Sequence, residues 1–256
     1  MKHLVIGKGF IGTEIGKQLK GEVKYLDRST GDYQQDITEK FQIKEQFDTV
    51  YHTAGLAPGY ATEKQYQKLH VKGTENILDA VKTEKIIYIS ALNPEIDHPF
   101  FQTKKQAEKL IRESDIKHTI LRPSTVTGKG NKLLEKIRDL SFIRVFPQVP
   151  TEMQPITLEN LGDIAAKVSN SRDNETLNIA GPEKMTVSEM AQKIYRQKGR
   201  DCEIIPLPEG FLEAFIKTFG IINRPPMIRE NYKLIGANNT TDENHAPQLT
   251  QLEKPF

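Results

Sequence analysis

Cysteine is almost missing from this sequence: Cys202 stands alone among 256 residues. A lone thiol excludes an internal disulfide and any zinc cluster built on cysteines, and it points to a reducing, cytoplasmic setting. No metal site is expected. Charge of one sign is also lacking. The net charge is +2, too balanced to argue for nucleic acid or a membrane surface as partner. No apolar run approaches the ~18 residues a membrane span needs. A strand is expected almost at once, at His3, so no secretory leader is expected. Asn238 and Asn239 each open an N-x-T triplet, which without a secretory route is chance. Repeats and low-complexity blocks are absent as well.

What remains is the composition of a soluble globular chain, 37% hydrophobic and 27% charged. Short apolar runs alternate with amphipathic stretches. The runs at 3–7, 22–27, 47–55, 84–92 and 116–123 are expected strands. Helices are expected after Phe10, from Thr62 to Val81, and over 98–110. In the second of these, Tyr66, Leu69, Gly73, Ile77 and Val81 fall at three- and four-residue steps, one face of a long helix. Strands and helices in alternation predict a parallel sheet covered on both faces. Later, LLEKIRDL, ITLENLGDIAAKVSN and TVSEMAQKIYRQKG are expected helices and TLNIAG a strand; Thr186 and Glu189 have capping-box spacing. The expected division is a dinucleotide-binding domain over 1–150, with 151–180 returning to it. A small irregular C-terminal subdomain over 181–256 follows, for substrate or partner, punctuated by Pro206, Pro208, Pro225, Pro226, Pro247 and Pro255.

Gly7, Gly9 and Gly12 form G-x-G-x-x-G between the first strand and the first helix. In that context Gly7 permits the tight turn, Gly9 lets backbone approach a pyrophosphate, and Gly12 lets the helix sit close to the strand. The helix N-terminus then faces the anion with unpaired N–H groups. Asp27 lies at the end of the second strand, where a carboxylate accepts hydrogen bonds from an adenosine ribose. A doubly wound Rossmann sheet binding NAD or NADP is the expectation. Asp27 would repel a 2′-phosphate and favours NAD, whereas Arg28 and Lys8 could pair with that phosphate.

Further motifs resemble the extended short-chain dehydrogenase/reductase superfamily, in its NAD-dependent epimerase/dehydratase-like branch. Asp36-Ile37 looks like that family's acidic dipeptide beside the adenine. VYHTAG (50–55) resembles its strand over the cofactor, and HVKGTENILDA (70–80) its N-V-x-G-T-x-N motif with His70 in place of Asn. ILRPSTVTGKGN (120–131) resembles its substrate loop, and NIAGPEKMTVSEMA (178–191) a segment near its C-terminus. The pattern is most similar to atypical members, among them the nucleotide-binding accessory subunit of respiratory complex I. The family's glycine loop is usually G-x-x-G-x-x-G; Ile6 holds its first position here. The resemblance implies cofactor contacts from Phe10, Ile11, Ala54, Gly55, Ser90, Lys104, Arg122 and Pro123. It also implies substrate contacts from Thr125, Thr127 and Asn131, and Arg122 could instead be an ion-pair partner.

Active members carry a Tyr-x-x-x-Lys pair, in which the lysine lowers the phenol's pKa and holds the nicotinamide ribose. Here Phe100 falls on the Tyr position and Lys104 on the Lys position. Ala91, Leu92 and Asn93 stand where the family's Ser or Thr belongs, with Ser90 one step early. Phenylalanine cannot transfer a proton. His52, Tyr60 and His98 are therefore candidate donors, each with an alternative as a packing, covering or solvated residue. Two functions follow. One is a protein that holds the dinucleotide as a sensing or structural ligand, working through a protein partner or as a homodimer. The other is an epimerase/dehydratase-like oxidoreductase or isomerase acting on a nucleotide-sugar-like or other small molecule with a displaced proton donor.

Overall fold

The computed structural model describes residues 1–208, 211, 234 and 237–256. Its first half runs β1 (Lys2–Ile6), α1 (Phe10–Gln18), β2 (Glu22–Asp27), β3 (Tyr33–Gln34), β4 (Gln46–His52) and α2 (Glu63–Tyr66). A π-helical stretch (Gln67–Lys72) leads into α3 (Gly73–Ala80), then β5 (Lys82–Ile89), α4 (Pro99–Glu113) and β6 (Lys117–Pro123). The second half adds β7 (Val126–Thr127), α5 (Lys132–Asp139), β8 (Val145–Pro147), β9 (Glu152–Met153), β10 (Ile156–Thr157) and α6 (Leu158–Lys167). It closes with β11 (Glu175–Ile179), β12 (Met185–Thr186), α7 (Val187–Gln197) and β13 (Glu203–Ile205).

Seven strands form one sheet in the order β11-β6-β5-β4-β1-β2-β3, and every pairing is parallel. The alternation of the strands explains why both faces are covered. Leu4 and Ile6 of β1 point into a core with Val50, Ile77, Ile86 and Ile111, under α3 and α4. Val5 points the other way, into a core with Ile15, Ile87, Leu121, Leu161 and Ile164, under α1 and α6. The register sets His52 opposite both Ile6 and Tyr88, so these strands end level. Chain order reverses between β1 and β4, and the crevice outside their carboxyl ends is where ligands bind in such sheets.

One departure from the sequence reading matters. The helix expected over 62–81 is interrupted by the π-helical stretch, whose wider turn shifts the phase of the buried face. His70, and not Leu69, becomes fully buried beside Tyr66. A third core unites Leu134, Ile137, Phe146 and Val149 with Met190, Ile194 and Tyr195. There α5 and β8 turn their apolar residues to α7 and not to the sheet. The Thr186–Glu189 capping box opens α7 as its spacing implies. Ala246, Leu249 and Leu252 return to the core under α1 and α6. Pro225 and Pro226 lie outside the described residues. Among the described residues no helix is long and apolar enough to cross a membrane.

Candidate functional site

The crevice opens into a cavity of about 1300 Å³, lined from the glycine loop, the β2 and β4 ends, α4, and the segment after β6. Gly7 takes φ +96°, which only glycine adopts freely. A Cβ on Gly12 would stand 2.0 Å from the Gly7 carbonyl oxygen and 2.6 Å from Thr53 Oγ1. Thr53 earns that closeness by donating to the carbonyls of Ile6 and Gly7, both at 2.9 Å. Gly9 is different: a Cβ there would meet nothing within 4 Å. Gly9 caps α1 without a side chain, so the helix's first N–H groups stay free beside the cavity.

Asp27 lines the cavity at the end of β2. Its Oδ2 accepts from Lys8 N at 3.2 Å and its Oδ1 from Ser29 N at 3.1 Å. Partial burial works to raise its pKa, but these N–H groups and that of Thr30 outweigh it and hold the carboxyl below its usual value. Asp36 accepts from Thr38 Oγ1 at 2.7 Å and is likewise held low, chiefly by that bond. Asn76 Nδ2 donates to the Ile37 carbonyl at 2.8 Å and fixes this loop at the cavity's edge.

α4 supplies the centre of the site. Pro99 is its first residue, and His98 Nδ1 caps it by accepting from Phe100 N at 3.1 Å. Phe100, where a phenol was expected by resemblance, packs edge-on to Tyr66, His70 and Phe101 at centroid distances of 5.8, 5.6 and 4.9 Å. One turn on, Lys104 is 5% exposed yet lines the cavity. Its Nζ donates to the Ile89 carbonyl at 2.8 Å and lies 4.8 Å from the Tyr88 ring centroid. Burial pushes its pKa down to about 7, with Glu108 opposing.

Glu108, fully buried, accepts from Ser90 Oγ at 2.6 Å and from Arg122 Nε at 2.8 Å and Nη2 at 2.6 Å. Arg112 Nη2 adds a further bond of 2.6 Å. Loop 53–60 is pinned from the other side. Leu56 N donates to His70 Nε2 at 3.2 Å, which leaves Nδ1 to donate to Thr103 Oγ1 at 2.9 Å.

Of the residues expected from the sequence, the cavity is lined by Gly7, Gly9, Phe10, Ile11, Gly12, Asp27, Arg28, Asp36, Ile37, Ala54, Gly55, Ser90, Lys104 and Pro123, and by Tyr60, Thr125 and Asn131. Others are not brought there. His52 is fully buried beneath the sheet's end, with Nε2 2.9 Å from Thr74 Oγ1. Burial, then Lys104, drives its pKa to about 3, so it cannot serve as an acid near neutrality. Arg122 is committed to Glu108 and does not line the cavity. Thr127 Oγ1 donates to the Ile156 carbonyl at 3.2 Å and is buried. His98, considered as a solvated residue or donor, is 2% exposed and serves as a helix cap. Asn131 caps α5, accepting from Leu134 N at 3.0 Å.

Sequence reasoning missed Glu108, although it sits one turn beyond Lys104 on the sheet-facing side. It also missed Lys132 and Lys136, which line the cavity beside Tyr60.

The fold matches that of solved UDP-sugar 4-epimerases. The Bacillus cereus UDP-glucuronic acid 4-epimerase in complex with NAD matches it with a TM-score of 0.68 at 20% identity, over 81% of this chain and 86% of that one. In sequence the chain is similar to the mitochondrial 40 kDa subunit of NADH-ubiquinone oxidoreductase of Neurospora crassa. Identity there is 24% over 185 residues, 69% of this chain and 48% of that protein. It is also 26% identical over 162 residues to 3 beta-hydroxysteroid dehydrogenase type 7 of Mus musculus, covering 47% of this chain and 44% of the relative. The chain thus spans about half the length of the curated relatives it matches. No family model matches it.

Proposed function

We propose that this chain binds NAD(P), with NAD preferred, as a sensing or structural ligand and without the phenol-based proton relay of its relatives. The observation that carries this is the pairing of a glycine loop free of side chains at Gly9 with the ionised Asp27 across the same cavity. Gly9 and the first N–H groups of α1 would hold the pyrophosphate, and Asp27 the adenosine ribose. Asp36 and Ile37 would flank the adenine, and Lys104 would reach the nicotinamide ribose. The site fits such a ligand because the one buried ammonium in this group has a single carbonyl partner and faces open cavity. Phe100 takes no part in proton transfer, and its ring is built into the aromatic cluster.

A second reading has its own support. Lys104 has been pushed to about 7 by burial, so it can exchange a proton near neutrality. An epimerase/dehydratase-like or reductase activity on a small molecule would then use the amine where relatives use a phenol. Titration with NADH and with NADPH, followed by intrinsic and nicotinamide fluorescence, tests the first claim. Saturable binding, tighter for NADH, supports it; no binding of either at millimolar concentration overturns it. Turnover that survives in Phe100→Ala and vanishes in Lys104→Met would favour the second reading.

A further inference from the structure

The cavity exceeds the ~300–1,000 Å³ of an ordinary small-molecule pocket, at about 1300 Å³. The glycine loop and Asp27 define one end. The other end reaches α5, β8 and the turn between them, and its chemistry is different. Lys132 Nζ lies 4.7 Å and Lys136 Nζ 5.1 Å from the centroid of the Tyr60 ring. Like charges one helical turn apart repel. Among the described residues neither lysine has a carboxylate partner, and the intervening Glu135 is spent on Gly130 N at 2.9 Å. Burial, and then Lys132, hold the Lys136 amine below its usual pKa. Two cations are thus crowded over one ring at a cavity wall.

The surface beside them is largely apolar, with Asn131, Asp139 and Thr151 as its polar members. Phe146 and Val149 line the cavity, and Leu133 and Phe142 stand at its lip, 37% and 70% exposed. A sugar would set most of its hydroxyls against the apolar part of this wall, which costs free energy. An alkyl chain would not.

We propose that this end of the cavity binds an amphipathic anion, an apolar chain ending in a phosphate or carboxylate. The anionic group sits between Lys132 and Lys136 over Tyr60, and the chain runs along Leu133, Phe142 and Phe146. The inference rests on the dinucleotide reading only in leaving the glycine-loop end to that ligand.

Isothermal titration calorimetry of the full chain tests it, with and without saturating NADH. The probes are decyl phosphate and decanoate below their micellar concentrations, decanol, inorganic phosphate and UDP-glucose. Decyl phosphate or decanoate should bind at least about ten-fold more tightly than decanol or phosphate alone, since each charge-assisted bond is worth ~1.5–3 kcal/mol. The stronger of the two identifies the head group. The double variant K132Q/K136Q should lose about ten-fold or more of that affinity, with its NADH affinity and melting temperature preserved. Phe142→Asp should weaken the same probe. Equal binding by wild type and K132Q/K136Q overturns the proposal, as does binding of UDP-glucose but neither alkyl anion. Loss of NADH binding with alkyl-anion binding intact removes the dinucleotide reading and leaves this one standing.

Discussion

The ammonium of Lys104 donates to the carbonyl oxygen of Ile89 at 2.8 Å, with the ring of Tyr88 4.8 Å away on the same strand. Helix α4 therefore delivers a cation into the carboxyl end of the sheet, and keeps it there with one backbone acceptor and one aromatic face. Desolvation is the larger influence on it, and Glu108 offsets only part.

That arrangement predicts a particular pH dependence. Unfolded, Lys104 titrates near ~10.4; folded, it titrates at about 7. Between those values the unfolded chain holds one proton more, so stability rises with pH. Below the folded value both states are protonated and this contribution is flat. Lys104→Met removes the group. The unfolding free energy of wild type minus that of the variant should climb on the order of 1 kcal/mol per pH unit above about pH 7. Urea denaturation across that range measures it, and a flat difference would refute the buried cation.

Gly9 and Gly12 separate fold from binding. Gly12→Ala places a methyl 2.0 Å from the Gly7 carbonyl oxygen, and overpacking of this kind costs ~1–3 kcal/mol. Its melting temperature should fall along with its NADH affinity. Gly9→Ala meets open space and has φ −92°, so the fold should lose only about 1 kcal/mol or less from the changed cap. Its NADH affinity should nevertheless drop about ten-fold or more, if a pyrophosphate lies against that backbone. An unaltered NADH titration for Gly9→Ala would place the ligand elsewhere.

Arg122 should behave as a structural residue. Its guanidinium makes two bonds to the fully buried Glu108, so Arg122→Met leaves that carboxylate to Ser90 and Arg112. Breaking a buried pair costs ~3–5 kcal/mol, and with two donors left the lower end applies. Thermal melts should register the loss while the NADH dissociation constant stays within about twofold. A variant of normal stability and poor NADH binding would restore Arg122 to the cofactor.

The parallel sheet was legible because its signal is local: apolar runs of strand length, each followed by an amphipathic stretch. The glycine loop and Asp27 were legible for a similar reason, since the strand, turn, helix and carboxylate all fall between Lys2 and Asp27. Phe100 and Lys104 could be placed from spacing alone. What spacing could not supply was direction at strand ends. Arg122 and Pro123 are neighbours in β6, yet only Pro123 faces the cavity, and the Glu108 that draws Arg122 away comes from another element. The π-helical stretch was invisible for a related reason. It depends on the fit of Tyr66 and His70 against α4, so no residue in the stretch marks it. Lys132 and Lys136 look like a solvated helix face until Tyr60 is brought beneath them.

His70 offers the sharpest check on how the loop from Thr53 to Tyr60 is held at the cavity wall. Leu56 N donates to its Nε2 at 3.2 Å, and its Nδ1 lies 2.9 Å from Thr103 Oγ1, whose own proton goes to the Pro99 carbonyl at 2.8 Å. Each contact has one consistent polarity: Nε2 accepts and Nδ1 donates. Burial, then Lys104 and His52, hold its pKa well below the usual value, so the ring stays neutral in the folded state. Unfolded, it would protonate below ~6.5, and the unfolded chain then binds the extra proton. Stability therefore falls as pH drops through that region, and His52 adds in the same direction. Nitrogen-15 NMR of the ring should report the Nδ1–H tautomer unchanged down to about pH 5.5. His70→Ala should strip Leu56 N of its acceptor, cost ~1–3 kcal/mol, and flatten the acid limb of the stability profile. If the ring titrates near its ordinary pKa, the loop from Thr53 to Tyr60 is not anchored by this histidine, and the wall it forms beside Lys104 must be held by other contacts.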